Sequence, residues 1–269
     1  MVIERLPALI AASALALLLG GCASNDSDPE PVVTLPPSAP LQPAPMEERI
    51  KAQLDLAEGY IAVGDASRAR PALDRALELD PRNSTTHDLF GRLYQMQGDA
   101  ERAERHFRMA VRADGSDARV RNDYGVFLYQ QGRYADAVEQ LERAAEDPDS
   151  PSRPVAYENL GLASLKAGDR RGARSAFTRA VMLERRMPIS LLELAEISYL
   201  DDELEASADW YQRFRGVAPR QSARSLWLGV RLARATGNED QEASYALQLK
   251  NLFPLSDEYR NYRETFGGG

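Results

Sequence analysis

Cysteine, histidine and clustered positive charge are all scarce in this chain. The one cysteine, Cys22, has no second thiol to pair with, so packing alone must hold the fold together. The two histidines, His87 and His106, supply no ligand set with metal-type spacing, and a packing or surface role is expected for both. No His-Glu-x-x-His, Gly-x-Ser-x-Gly or phosphate-loop pattern occurs. Asp147 to Ser150 is acidic but lacks the calcium-loop order, and Asp201-Asp202-Glu203 reads as a solvated turn. These absences leave no basis for an enzyme, a metal, a cofactor or a small-molecule substrate. The net charge is −8, with no basic cluster along the chain, which argues against nucleic acid and against electrostatic binding to anionic lipid. Long apolar runs are missing as well, apart from one between Leu6 and Leu19. That run is shorter than the ~20 residues a membrane-crossing helix needs.

The short run ends in Leu19-Gly20-Gly21-Cys22, and this reads as a lipobox. Small residues at Gly20 and Gly21 let a peptidase reach the backbone, and the Cys22 thiol is the group that carries diacylglycerol. Residues 1–21 are then a signal peptide and Cys22 is the lipidated first residue of the mature chain. Residues 22–45 form the lipidated N-terminus and a linker, in which seven prolines fall between Pro29 and Pro45. Such a stretch favours extended polyproline segments of about 3.1 Å per residue and reads as a spacer or a disordered tail. The residue after Cys22 is Ala23. An aspartate there resembles an inner-membrane retention signal in lipoproteins of two-membrane bacteria, so Ala23 implies default sorting to the periplasmic face of the outer membrane.

Residues 46–266 carry an internal repeat of 34 residues. Gly91, Gly125 and Gly161 anchor it, the last displaced by two residues across Asp147-Pro148-Asp149-Ser150-Pro151. A turn glycine follows each anchor: Gly98, Gly132 and Gly168. Then come a small residue, a large one and an alanine: Ala103, Phe107, Ala110; Ala137, Leu141, Ala144; Ala173, Phe177, Ala180. The frame extends to repeats at 50–83, 84–117, 118–151, 154–187, 188–221 and 222–254, with glycines missing from the fifth and an insertion needed in the sixth. Each unit predicts two amphipathic helices, A and B, that approach closely at the small residues. Leu255 to Phe266 predicts a capping helix with Tyr259, Tyr262 and Phe266 on one face, and residues 267–269 a disordered tail. The pattern resembles the tetratricopeptide repeat. The expected fold is therefore all-α: a right-handed superhelix of about six helix pairs with a C-terminal capping helix.

In such an array helix A lines an inner groove at frame positions two, five, nine, twelve and thirteen. Those positions give Asp88, Arg92, Gln95 and Met96 in repeat two. They give Asn122, Val126, Tyr129 and Gln130 in repeat three, and Glu158, Leu162, Leu165 and Lys166 in repeat four. The mixture is apolar with scattered amides and suits an extended segment or helix with apolar anchors.

Four longer stretches narrow the resemblance. Asn122-Asp123-Tyr124-Gly125-Val126-Phe127-Leu128-Tyr129, Tyr157-Glu158-Asn159-Leu160-Gly161-Leu162 and Ala223-Arg224-Ser225-Leu226-Trp227-Leu228-Gly229 resemble the type IV pilus biogenesis/stability lipoprotein family PilF/PilW. So does Ala243-Ser244-Tyr245-Ala246-Leu247-Gln248-Leu249-Lys250. The resemblance implies a pilotin: an outer-membrane lipoprotein that binds subunits of the pilus secretin and promotes their localisation or multimerisation. It implies that Asp88, Arg92, Met96, Asn122, Val126, Tyr129, Glu158, Leu162, Leu165 and Lys166 face that client. The competing reading is an outer-membrane repeat scaffold for other envelope-assembly or cell-wall proteins.

Overall fold

The computed structural model describes residues 44–266, and among them there is helix and no strand. The expected signal peptide, Cys22, the proline-rich linker and the tail at 267–269 lie outside the described residues. Six antiparallel pairs follow one another: α1 (Met46–Ala62) with α2 (Ala66–Leu79), α3 (Ser84–Met96) with α4 (Ala100–Ala113), and α5 (Ala118–Gln130) with α6 (Tyr134–Glu146). Then come α7 (Arg153–Lys166) with α8 (Arg170–Leu183), α9 (Pro188–Leu200) with α10 (Leu204–Val217), and α11 (Ala223–Ala235) with α12 (Glu239–Leu252). A thirteenth helix, α13 (Asp257–Phe266), closes the array. Leu255, expected inside this helix, lies in the loop before it, because Ser256 Oγ accepts the Tyr259 N–H and starts the helix one residue later.

Repeat two shows why these residues make this unit. Asn83 Oδ1 accepts the Thr86 N–H at 2.8 Å and caps α3. The helix stops at Gly98, whose φ of +76° suits glycine, while the Asp99 N–H reaches back to the Tyr94 carbonyl at 2.9 Å. Asp99 then caps α4 by accepting the Arg102 N–H. Along α4, Ala103, Phe107 and Ala110 are fully buried on one face. The anchoring glycine lets the two helices meet: a Cβ on Gly91 would stand 2.8 Å from the Phe107 ring, one on Gly125 2.6 Å from Leu141, and one on Gly161 2.5 Å from Phe177.

The odd-numbered helices each touch the next odd-numbered helix, whereas the even-numbered ones touch only odd-numbered neighbours. The A helices therefore form one continuous inner row, with the B helices outside it. Apolar packing divides into two clusters. One runs from Ala57 of α1 to Ala163 of α7, and the other from Ala144 of α6 to Leu249 of α12. The division runs across α6 and α7. Leu141 and Ala163 belong to the first cluster, and Ala144, Ala145, Ala156 and Tyr157, which flank the lengthened loop, to the second. At that loop Arg153 Nε donates to the Ala145 carbonyl at 2.9 Å. Leu160 packs against both clusters. Behind the last pair, α13 lays Phe266 against Trp227 of α11, ring centroids 5.7 Å apart, under the Arg234 guanidinium.

Candidate protein-binding groove

The inner row of A helices is laced by polar contacts, each spanning about one repeat. Arg92 bridges Glu58 at 3.2 Å and Asp123 at 3.9 Å. Arg119 approaches Asp88 at 3.4 Å. Gln95 Nε2 donates to Gln130 Oε1 at 2.6 Å, and Asn159 Nδ2 to Asn122 Oδ1 at 2.9 Å. Glu158 Oε2 accepts both the N–H and the hydroxyl of Ser190, at 3.0 and 2.8 Å. Arg224 donates to Glu193 at 2.8 Å, and Arg231 to Glu196 at 2.6 Å. The Arg231 guanidinium also sits between the rings of Tyr199 and Trp227. These contacts are a ladder that fixes each repeat on the next.

The ten groove residues expected from the sequence divide accordingly. Asp88 has no exposed surface and Asn122 is 9% exposed, so neither presents itself to a partner. Position five points at the adjacent A helix rather than at solvent, and both residues act as repeat-to-repeat contacts. Burial, then the nearby Asp123 charge, pushes the Asp88 carboxyl well above the usual carboxylate range. Burial pushes Asp123 up as well, against the pull of Arg92. Arg92 and Glu158 are half-buried and already engaged across repeats. The other six leave accessible surface: Met96 and Lys166 are exposed, and Val126, Tyr129, Leu162 and Leu165 are half-buried. They form an open, mainly apolar strip across repeats two to four.

The frame also contains groove residues that the sequence reading did not single out. Glu58 and Glu196 occupy position nine of repeats one and five, the place held by Arg92, Val126 and Leu162. Tyr199 continues the row of Tyr129 and Leu165 at position twelve. Applying the frame to every copy would have found them. His87 and His106 stand between α3 and α4, their Nδ1 atoms 3.3 Å apart, with His87 Nε2 donating to the Pro81 carbonyl at 3.1 Å. The His106 ring also packs with Phe90 and Tyr94. Among the described residues no group of three or more His, Cys, Asp or Glu side chains is placed to hold a metal, and no helix is long and apolar enough to cross a membrane.

A tetratricopeptide-repeat family profile matches residues 89–151 and 159–225. The type IV pilus assembly protein PilF of Pseudomonas aeruginosa is 36% identical over 217 residues, covering 81% of this chain and 86% of that protein. The chain belongs to the PilF/PilW family of type IV pilus assembly proteins. The solved structure of Pseudomonas aeruginosa PilF superposes with a TM-score of 0.78, over 82% of this chain and 99% of that one. That of PilW, a type IV pilus biogenesis factor, is 27% identical and superposes with a TM-score of 0.67 over 79% and 97% of the two chains. PilF/PilW membership and the paired-helix architecture thus agree on a repeat scaffold for pilus assembly.

Proposed function

We propose that this PilF/PilW member is a pilotin, anchored by acyl chains on Cys22 to the periplasmic face of the outer membrane, and that its groove grips secretin subunits of the type IV pilus. The observation that carries the groove assignment is the open strip of Met96, Val126, Tyr129, Leu162 and Leu165 beside charges that, Lys166 apart, are already engaged across repeats. A surface whose ions are satisfied internally selects a client by apolar anchors and shape. Family membership supports a pilus client, and the lipobox supports the address.

Two experiments test the two halves of this reading. Capture of secretin subunits by the purified chain should fall at least about tenfold with Tyr129→Ala, Leu162→Ala and Leu165→Ala combined, the scale expected for truncating central anchors. Undiminished capture removes the groove from the account. Cys22→Ser in the native host should deplete secretin multimers from the outer membrane or shift them to the inner one. Intact outer-membrane multimers would instead favour a scaffold for other envelope or cell-wall proteins.

A further inference from the structure

All A-to-B turns lie at one edge of the array and all B-to-A loops at the other, because paired helices run antiparallel and each connection is three to six residues long. At the B-to-A edge, contacts fix the neighbours. Arg179 near the end of α8 donates to the Tyr157 hydroxyl at 3.2 Å, and the Ser190 N–H at the start of α9 reaches Glu158 of α7 at 3.0 Å. In repeats four to six this edge carries Val155, Met182, Leu183, Ile189, Leu252 and Leu255, between 46% and 94% exposed. The same edge of repeats one to three carries two large exposed apolar side chains among the described residues, Met46 and, a turn back from the end of α4, Met109.

Equivalent frame positions show how local this is. Where repeat four has Met182, the others have Glu78, Arg112, Glu146, Gly216 and Lys250. Where repeats four and five have Val155 and Ile189, repeats one to three have Lys51, Thr85 and Arg119. Charge divides the same way. Arg185, Arg186, Arg220 and Lys250 stand on the edge of repeats four to six beside Glu184, Asp257 and Glu258, and none of these four cations forms an ion pair among the described residues. The edge of repeats one to three is more acidic, with Asp80, Asp114, Asp117, Glu146, Asp147 and Asp149 outnumbering Lys51, Arg82, Arg112 and Arg119. The net charge of −8 conceals this separation.

We propose that the B-to-A edge of repeats four to six is a membrane-contact surface that rests on an anionic phospholipid bilayer. Its apolar side chains stand on loops and helix ends along an outer edge rather than in a concavity. They belong to both A and B helices, so a flat interface reaches them together while a segment lying in the groove does not. Leucine and methionine side chains enter the interface, and the unpaired cations meet headgroup phosphates. The acidic edge of repeats one to three is repelled, which sets the orientation. The contact is separate from the client groove and does not depend on the acyl anchor.

The test uses the full mature chain with Cys22→Ser, which removes the acylation site. It is sedimented with vesicles of phosphatidylethanolamine and phosphatidylglycerol, and with vesicles of phosphatidylcholine alone. The expected result is partition onto the anionic vesicles that falls on the order of tenfold or more with Arg185→Glu plus Arg186→Glu. A comparable fall is expected with Leu183→Ser plus Leu255→Ser. Val63→Ser plus Leu200→Ser, at the opposite edge, should change nothing, and unchanged melting curves show that all variants are folded. Partition no greater than onto phosphatidylcholine, or equal in all variants, overturns the proposal. So does loss of a protein partner by the edge variants at undiminished vesicle binding.

Discussion

In repeats two to four, helix A offers its partner helix a glycine, and Phe107, Leu141 or Phe177 fills the space where a Cβ would stand. In repeat five the same frame position is Ala195, facing Ser207 in place of the usual alanine and Tyr211 in place of the large apolar residue. The Ser207 hydroxyl donates to the Ala195 carbonyl at 2.8 Å, and the Tyr211 hydroxyl reaches on to the Ser225 carbonyl of repeat six at 2.9 Å. One geometry is thus held by bare close packing in repeats two to four and by packing plus buried hydrogen bonds in repeat five. The change falls between α8 and α9, where the glycine of the frame gives way to Ala195. A repeat frame fixes spacing and size; the chemistry at each position is free to vary where the neighbour compensates.

The largest expected effect attacks the glycine side of this contrast. Gly161→Val would drive a side chain into the Phe177 ring and should cost about 3 kcal/mol in urea unfolding, as overpacking does. Ala195→Gly opens no such clash and should cost about 1 kcal/mol, the helix-propensity difference. Equal losses would show that repeats four and five pack alike.

The ladder gives a second contrast. Arg231 and Glu196 are 17% and 16% exposed, so Arg231→Met strands a buried carboxylate and should cost about 2 kcal/mol. Glu58 is 54% exposed, and Arg92→Met should cost about 1 kcal/mol or less in the same melts because water takes over.

Acid should separate the halves by direction. Burial holds His106 down at about 4 and lowers His87 as well, and both are in the first half. The unfolded chain then binds more protons between about pH 6.5 and 4, so their contribution is complete above that window and is lost as pH falls through it. Asp88 and Asp123, raised by burial, act with the opposite sign. The difference between the parent and His106→Leu isolates the histidine part. Amide exchange in α3 and α4 should accelerate with acid in the parent more than in the variant, while α9 to α12, which hold no histidine, should show no such difference.

The smallest effect concerns the fifth A-to-B turn. Asp202 takes a φ of +61° where the other turns have glycine, and Asp202→Gly should stabilise the chain by about 0.5 kcal/mol in chemical melts. A loss instead would mean that the Asp202 side chain holds the turn.

Much of this was legible in the sequence. The small and large residues of the frame located all six pairs, because close helix contact tolerates few alternatives at Gly91 or Phe107. Position five was not legible. Asp88, Asn122 and Glu158 are polar, which reads as solvent-facing, yet each meets a residue 31 to 37 positions away that no pattern within one repeat reveals. The ladder in repeats five and six was hidden in the same way, since Arg224 and Arg231 meet Glu193 and Glu196 31 and 35 positions away. The basic edge was invisible to composition, since Arg185, Arg186, Arg220 and Lys250 are scattered along an acidic chain and only the fold aligns them.

The account rests on groove charges that serve the array and an apolar strip that serves the client. Titration of secretin subunits into the Cys22→Ser chain at low and high salt tests this most directly. The predicted result is an affinity that changes by no more than about twofold as screening rises, because the groove ions other than Lys166 are already engaged. A steep loss of affinity with salt would contradict it and return the groove charges to the binding site.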